Sequence, residues 1–271
     1  MNRLAAAAAA AFLALAAHAA DPVAFVADIA GNASIEGEGK LAFLAELRPG
    51  TRLMLGTGAT VAITYAASGT EYTVRGPGEF LVGAAEVRAE KGGAPSKRLV
   101  TSVQDKATIS RVSQTATASL RMRGLAVEKP KAGLEFPVDT RVATLEPVLL
   151  FRGEAPAGSQ VTILDANGNA VWKAEASSGK LKTGVKLSPA TRYRWTVMTK
   201  NGALGEAQFE TASADAIRKA AQSRSSARSF SDRVMHALLL QEMGATQEAR
   251  EAWTALARER PDLPGLAGLA R

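Results

Sequence analysis

Apolar positions recur at every second residue through the first third of the chain, in runs too short for helices. Leu53 and Leu55 alternate with their neighbours, as do Val61, Ile63 and Tyr65, then Tyr72 and Val74, then Phe80 and Val82. A period of two places each set on one face of a strand. Pro49-Gly50, Gly56-Thr57-Gly58, Ser68-Gly69 and Gly76-Pro77-Gly78 separate the runs and supply turns. Upstream, residues 23–29 predict a strand, Gly31-Asn32 a turn and residues 33–36 a return strand. Links this short join antiparallel neighbours or the rungs of a rolled sheet. The expected class is mainly β, opening with an antiparallel roll or barrel-like domain over residues 22–131.

The alternation changes character further on. Residues 134–211 predict a second β unit, of a length that suits a β-sandwich. Asp165-Ala-Asn167-Gly168-Asn169 lies between two short apolar runs and reads as a hairpin turn, since Asn-Gly suits positive φ. Tyr193, Trp195 and Val197 share one strand face, and Arg192 and Arg194 the other. From about residue 214 the period becomes helical. Residues 215–222 predict a short helix. Ser231-Asp232 is placed to cap a second, which Gly244 ends, and a third starts at Thr246 and stops before Pro261. Ala249, Trp253 and Leu256 form the apolar stripe of that third helix.

These residues carry three resemblances. Gly50, the Gly56-Thr57-Gly58 turn, Val61-Ala-Ile63-Thr-Tyr65, Ser68-Gly69, Tyr72-Thr-Val74 and Gly78 together resemble the FecR-like periplasmic domain, over about residues 23–90. Members of that family read as glycine, strand, Thr-Gly turn, strand, Asp-Gly turn, strand; this chain has Ser68-Gly69 where Asp-Gly is usual. Leu187, a short polar turn and Tyr193-x-Trp195-x-Val197 look like one strand region of fibronectin type III and related sandwiches. Gly244, Ala249, Trp253 and Pro261 fall at the spacing of a tetratricopeptide repeat, so residues 214–271 resemble a single helical hairpin of that type. One such repeat is below the three that a free-standing solenoid needs, which predicts packing on a β domain or a partner.

The first residues set an expected compartment. Arg3, an Ala-rich apolar run with Phe12, Leu13 and Leu15, and the small-x-small pattern Ala17-His18-Ala19 read as a secretory leader over residues 1–19. No later stretch approaches the ~20 apolar residues that span a bilayer. The mature protein is therefore expected in the periplasm, without a transmembrane segment. The namesake FecR regulators are membrane proteins with a cytoplasmic sigma-factor-binding part; a cleaved leader takes that signalling role out of what the resemblance implies.

Charge and composition narrow the chemistry. The chain has 271 residues, a formal charge of +7 and no cysteine, so disulfides, thiol catalysis and thiolate-bound metals are excluded. The basicity is local. Lys97, Arg98, Lys106, Arg111, Arg121, Arg123, Lys129 and Lys131 stand against only Asp105 and Glu128 between residues 94 and 131. Such residues guard sheet edges or meet an anionic partner such as lipopolysaccharide or a cell-wall polymer. Lys97, Arg98, Lys106, Arg111, Arg121 and Arg123 are the candidate contacts. Nucleic acid is not expected, because no aromatics interleave with the basic residues and the compartment is wrong. Trp172, beside a hairpin strand, is the candidate ligand platform; Trp195 and Trp253 sit on core-facing stripes.

His236 is the one histidine left once the leader is removed, and its helical setting among Ala237 and Leu238 reads as structural. No nucleophile-elbow motif, phosphate loop or calcium loop is complete: the sixth and twelfth positions counted from Asp165 hold Ala170 and Ala176. The expectation is a non-enzymatic protein without cofactors that recognises a periplasmic or envelope protein, with peptidoglycan or lipopolysaccharide as the alternative partner. Mass spectrometry of the protein recovered from the periplasm should show a chain that begins at Ala20; a mass that includes residues 1–19 would refute the leader reading.

Overall fold

A computed structural model of the chain describes residues 21–100, 133–152, 158–176, 178–200 and 202–270. The predicted leader and the basic residues 101–132 lie outside the described residues, among them 107–112 and 118–122, whose sequence predicts strands.

The alternating runs become strands as their spacing dictates. The first unit contains β1 (Ala24–Ala30), β2 (Ala33–Ile35), β3 (Gly39–Lys40), β4 (Glu46–Leu47), β5 (Arg52–Leu55), β6 (Thr60–Tyr65), β7 (Thr70–Arg75), β8 (Gly78–Val82), β9 (Val87–Lys91) and β10 (Ser96–Leu99). They pair antiparallel in two five-stranded sheets, ordered β10-β7-β6-β1-β4 and β3-β2-β5-β8-β9. Neither sheet closes on itself, so the barrel-like expectation is corrected to two open sheets. Leu53, Val61, Ile63, Val74, Phe80 and Val82 are fully buried between them. Two glycines show why the runs break where they do. At Gly31 φ is 78° and a Cβ would lie 2.9 Å from the Ala59 Cα. At Gly76 a Cβ would lie 2.1 Å from the Gly56 carbonyl oxygen, so the backbones meet only without a side chain.

The second unit is a sandwich. It contains β11 (Leu134–Phe136), β12 (Thr140–Val142), β13 (Val148–Phe151), β14 (Ser159–Leu164), β15 (Ala170–Ala176), β16 (Lys180–Lys182), β17 (Arg192–Thr199) and β18 (Gly202–Thr211). A three-stranded sheet, β11-β13-β16, shares one core with a five-stranded sheet, β12-β18-β17-β14-β15. All pairs are antiparallel except β12 with β18. Trp195 fills the centre with no exposed surface, and its Nε1 donates to the Pro137 carbonyl at 2.8 Å. Tyr193 stacks on Phe209, and its Oη accepts from Ser188 N at 2.9 Å, which pins the loop that leads into β17. The predicted hairpin forms between β14 and β15: Asp165 Oδ1 accepts from Asn167 N at 2.9 Å and Asn169 N at 2.8 Å.

The helical part is larger than a hairpin. It has three substantial helices, α1 (Ala214–Ser226), α2 (Phe230–Glu242) and α3 (Thr246–Glu259), and a short α4 (Pro264–Leu269). The cap of α2 is Ser229, two residues before the expected Ser231. Ser229 Oγ accepts from Asp232 N at 3.1 Å while Asp232 Oδ2 accepts from Ser229 N at 3.0 Å. Asp232 is the inner acid of a capping box. Starting the helix earlier also brings Phe230 into the core, where its ring meets Phe43 at 6.4 Å.

The helices do not stand alone. Phe230, Val234, Met235, Leu238, Trp253 and Leu266 belong to the same buried cluster as Phe25, Val26 and Ile63 of the first sheets. Two arginines fasten the seam. Arg98 on β10 donates from Nε to Glu71 Oε1 (2.7 Å), from Nη1 to Asp232 Oδ1 (2.9 Å), and from Nη2 to Ser229 Oγ (2.8 Å) and Ser231 Oγ (3.0 Å). Arg260, past the end of α3, donates from Nη1 to Asp28 Oδ1 and from Nη2 to the Ile29 carbonyl, both at 2.6 Å, and its guanidinium lies 5.2 Å from the centre of the Phe230 ring. The opposite end of α3 grips the sandwich. Gln247 accepts from Val138 N (2.9 Å) and donates to the Glu135 carbonyl (2.6 Å), and Glu248 Oε2 accepts from Ala143 N (2.9 Å).

Removing Arg98 leaves Glu71 and Asp232 buried without their shared cation. Arg98→Ala should lower the unfolding free energy by roughly 2–4 kcal/mol in urea denaturation, since breaking one side of a buried pair is costly. A loss within the ±0.5 kcal/mol typical of surface substitutions would show that the seam does not depend on it.

Candidate functional site

Strand β13 buries Leu149 and Phe151 in the sandwich, so the period of two turns Val148 and Leu150 outward. They do not face open solvent. The docking of α3 on β12 holds the helices across from this outer sheet face and leaves a cleft of about 1220 Å³ between them. Phe136, Val148 and Leu150 form its sandwich wall; Ile217, Ala220 and Leu240 form its helical wall. The helical wall follows from helix spacing. Ile217, Ala220, Ala221 and Arg224 of α1 lie on one face, as do Glu248, Glu251 and Ala252 of α3.

Charged groups sit among these apolar walls. Glu146 and Lys180 come from the sandwich, and Arg224, His236, Glu248 and Glu251 from the helices. Among the described residues Arg224, Lys180, Glu146 and Glu251 make no ion pair. Burial pushes the Glu248 carboxyl up to about 7, and the Glu251 charge adds to the rise; the Ala143 N–H and Arg224 oppose it. Burial, reinforced by Arg224, pushes His236 down to about 4. At neutral pH the histidine is therefore uncharged and the glutamate is close to its midpoint.

His236 Nδ1 lies 3.3 Å from Ser223 Oγ, but Ser223 is fully buried and closed to an incoming substrate. Among the described residues no group of three or more histidine, aspartate and glutamate side chains is placed to hold a metal ion. No described helix is long and apolar enough to cross a membrane. Apolar side chains and charged groups of both signs thus line one and the same cleft.

None of the sequence-predicted contacts lines this cleft among the described residues. Lys97 is exposed on β10. Its neighbour Arg98 is engaged by four internal partners and does not offer a free charge. Lys106, Arg111, Arg121 and Arg123 lie outside the described residues. Trp172, on β15 opposite Ile163, is half-buried and packs against the sandwich core. Trp195 and Trp253 are buried, as their stripes implied. One sequence signal pointed to the cleft. The unbroken apolar run Val148-Leu149-Leu150-Phe151 belongs to a strand covered on both faces, unlike the alternating strands around it.

No family model and no curated protein matches the chain. Among solved structures it is similar to CopC from Methylosinus trichosporium OB3b, at 22% identity and a TM-score of 0.24, with 31% of this chain and 96% of that one covered.

The two perturbed groups of the cleft give opposite pH dependences. His236 is neutral when folded, so its contribution is complete above about 6.5 and is lost as pH falls toward about 4. Glu248 holds a proton that the unfolded chain has released, so its contribution falls as pH rises from about 4.5 to about 7. Relative to the parent chain, His236→Gln should gain stability on the acid side of this window. Glu248→Gln should gain on the alkaline side, by on the order of 1–3 kcal/mol at pH 8. Urea midpoints measured from pH 4 to 8 check both; parallel curves for the three proteins would refute the assignment.

Proposed function

We propose that the chain is a periplasmic, non-enzymatic recognition protein of the FecR-domain type, which binds a segment of an envelope protein in the cleft between its sandwich and its helices. The observation that carries this reading is the cleft, which Val148 and Leu150 line from the sandwich and Ile217, Leu240, Arg224 and Glu248 line from the helices. Among the described residues Arg224, Lys180, Glu146 and Glu251 make no ion pair, and this mixture of signs favours a peptide with mixed charge over a uniformly anionic polymer. The leader-like N-terminus and the glycine-punctuated strands support the compartment and the family. The sandwich order, three strands facing five with Tyr193 tied to Ser188 N before β17, supports a fibronectin type III-like second unit. The antiparallel α2 and α3 with Gly244 between them support a tetratricopeptide-like origin for the helical wall. The alternative, an anionic envelope polymer on the basic segment, draws on the exposed Lys97 but not on Arg98.

A photoreactive residue at Leu150 tests the reading in cells. It should capture one discrete envelope protein, and Arg224→Glu should weaken that capture several-fold while a probe at the exposed Met54 captures none of it. Equal labelling from Leu150 and Met54, or no protein from Leu150, would overturn it.

A further inference from the structure

Among the described residues each of the four sheets ends on two edge strands, and these differ in what they offer. β15 is the longest, with seven residues; the others run from two to five. Among the described residues it pairs with β14 alone. The free backbone N–H and C=O groups of such an edge form a template for another strand. Trp172 and Ala176 turn toward the sandwich core, while Val171, Lys173 and Glu175 are exposed on the outer face. Val171 is 41% exposed, and on the same outer face Met198 of β17 is 46% exposed.

A lone lysine on an edge repels an approaching copy. Lys173 is not alone, because Glu175 follows at the next position on the same face. In an antiparallel pair of identical strands centred on Ala174, Lys173 stands opposite the second copy's Glu175, and Glu175 opposite its Lys173. Trp172 then stands opposite the second copy's Ala176. Centring on Lys173 instead would set lysine against lysine, so the charges select one register. A two-fold axis satisfies both copies at once, as closed dimers require.

The edge β9 shows what distinguishes β15. It has the same spacing, Arg88-x-Glu90, but Arg88 is paired with Glu86 at 2.6 Å and Glu90 with Arg52 at 3.3 Å. On β15, Lys173 and Glu175 have no ion pair among the described residues and face only Thr162 and Gln160 on β14. We propose that β15 is the seam of a two-fold homodimer, in which the five-stranded sheets of two sandwiches join edge to edge through antiparallel β15 strands. The partner is a second copy of this chain, and the proposal does not rest on the cleft or its ligand.

Sedimentation equilibrium of the purified full chain, from micromolar to near-millimolar concentration, reads the association directly. The parent chain should dimerise. Lys173→Glu and Glu175→Lys each place like charges opposite one another twice per dimer and should weaken association about tenfold or more. The double variant Lys173→Glu with Glu175→Lys restores opposite charges in the same register and should return association to the parent level. Both side chains are exposed, so the fold is not at risk in these variants. A parent chain that stays monomeric throughout, a dimer indifferent to either single reversal, or a double variant no better than the singles would each overturn the proposal.

Discussion

One guanidinium, that of Arg98, serves two buried carboxylates. Glu71 is 3% exposed and Asp232 1% exposed, and neither could be buried as an anion without a compensating charge. The cation alone leaves the group one negative charge in excess. The start of α2 makes up part of the difference. Burial pushes Asp232 up, yet the backbone N–H groups of Ser229 and Arg228, together with Arg98, outweigh it and hold the carboxyl below its usual range. A helix N-terminus carries partial positive charge, so the acid stabilises the helix that stabilises it. Among the described residues Glu71 Oε2 has no hydrogen-bond partner, which makes Glu71 the weaker half of the arrangement.

The rest of the architecture follows from where this contact puts α2. With its first turn fixed on β10, the apolar face of α2 closes the core of the first sheets, and α3 packs back along it to place Arg260 on Asp28. The far end of α3 is thereby presented to the sandwich, where Gln247 and Glu248 complete unpaired backbone groups of Val138 and Ala143. Two β units are joined through a helical unit that contacts both. The cleft is the space left when the outer face of β13 meets helices already fixed elsewhere.

Much of this was legible in the sequence wherever the determinant was local. Period-two runs gave β5 to β8, the Asn167-Gly168 turn gave the β14–β15 hairpin, and Gly244 marked the end of α2. The misses share a cause. Arg98 read as an open candidate contact because its counter-ions are Glu71, 27 positions away, and Asp232, 134 positions away. The cap of α2 was misplaced because Ser229, Ser231 and Asp232 are all competent capping residues, and the burial of Phe230 decides among them. His236 stands out in the sequence by itself, yet nothing in its spacing from Glu248 reveals that the two line one cleft with Val148. The extent of the helical part was underestimated because α1 is polar and α4 is only six residues long.

The shared core also bears on how the chain comes into being. Synthesis delivers β1 some two hundred residues before α2, yet Phe25, Val26 and Ile63 depend for their cover on Phe230, Met235 and Leu266. Closure over such a distance is slow compared with local pairing. The first sheets can assemble early, but they wait with one hydrophobic side open until the final helices arrive. A copy cut short before residue 230 keeps that side exposed for good, and so advertises its own incompleteness to whatever clears unfinished chains.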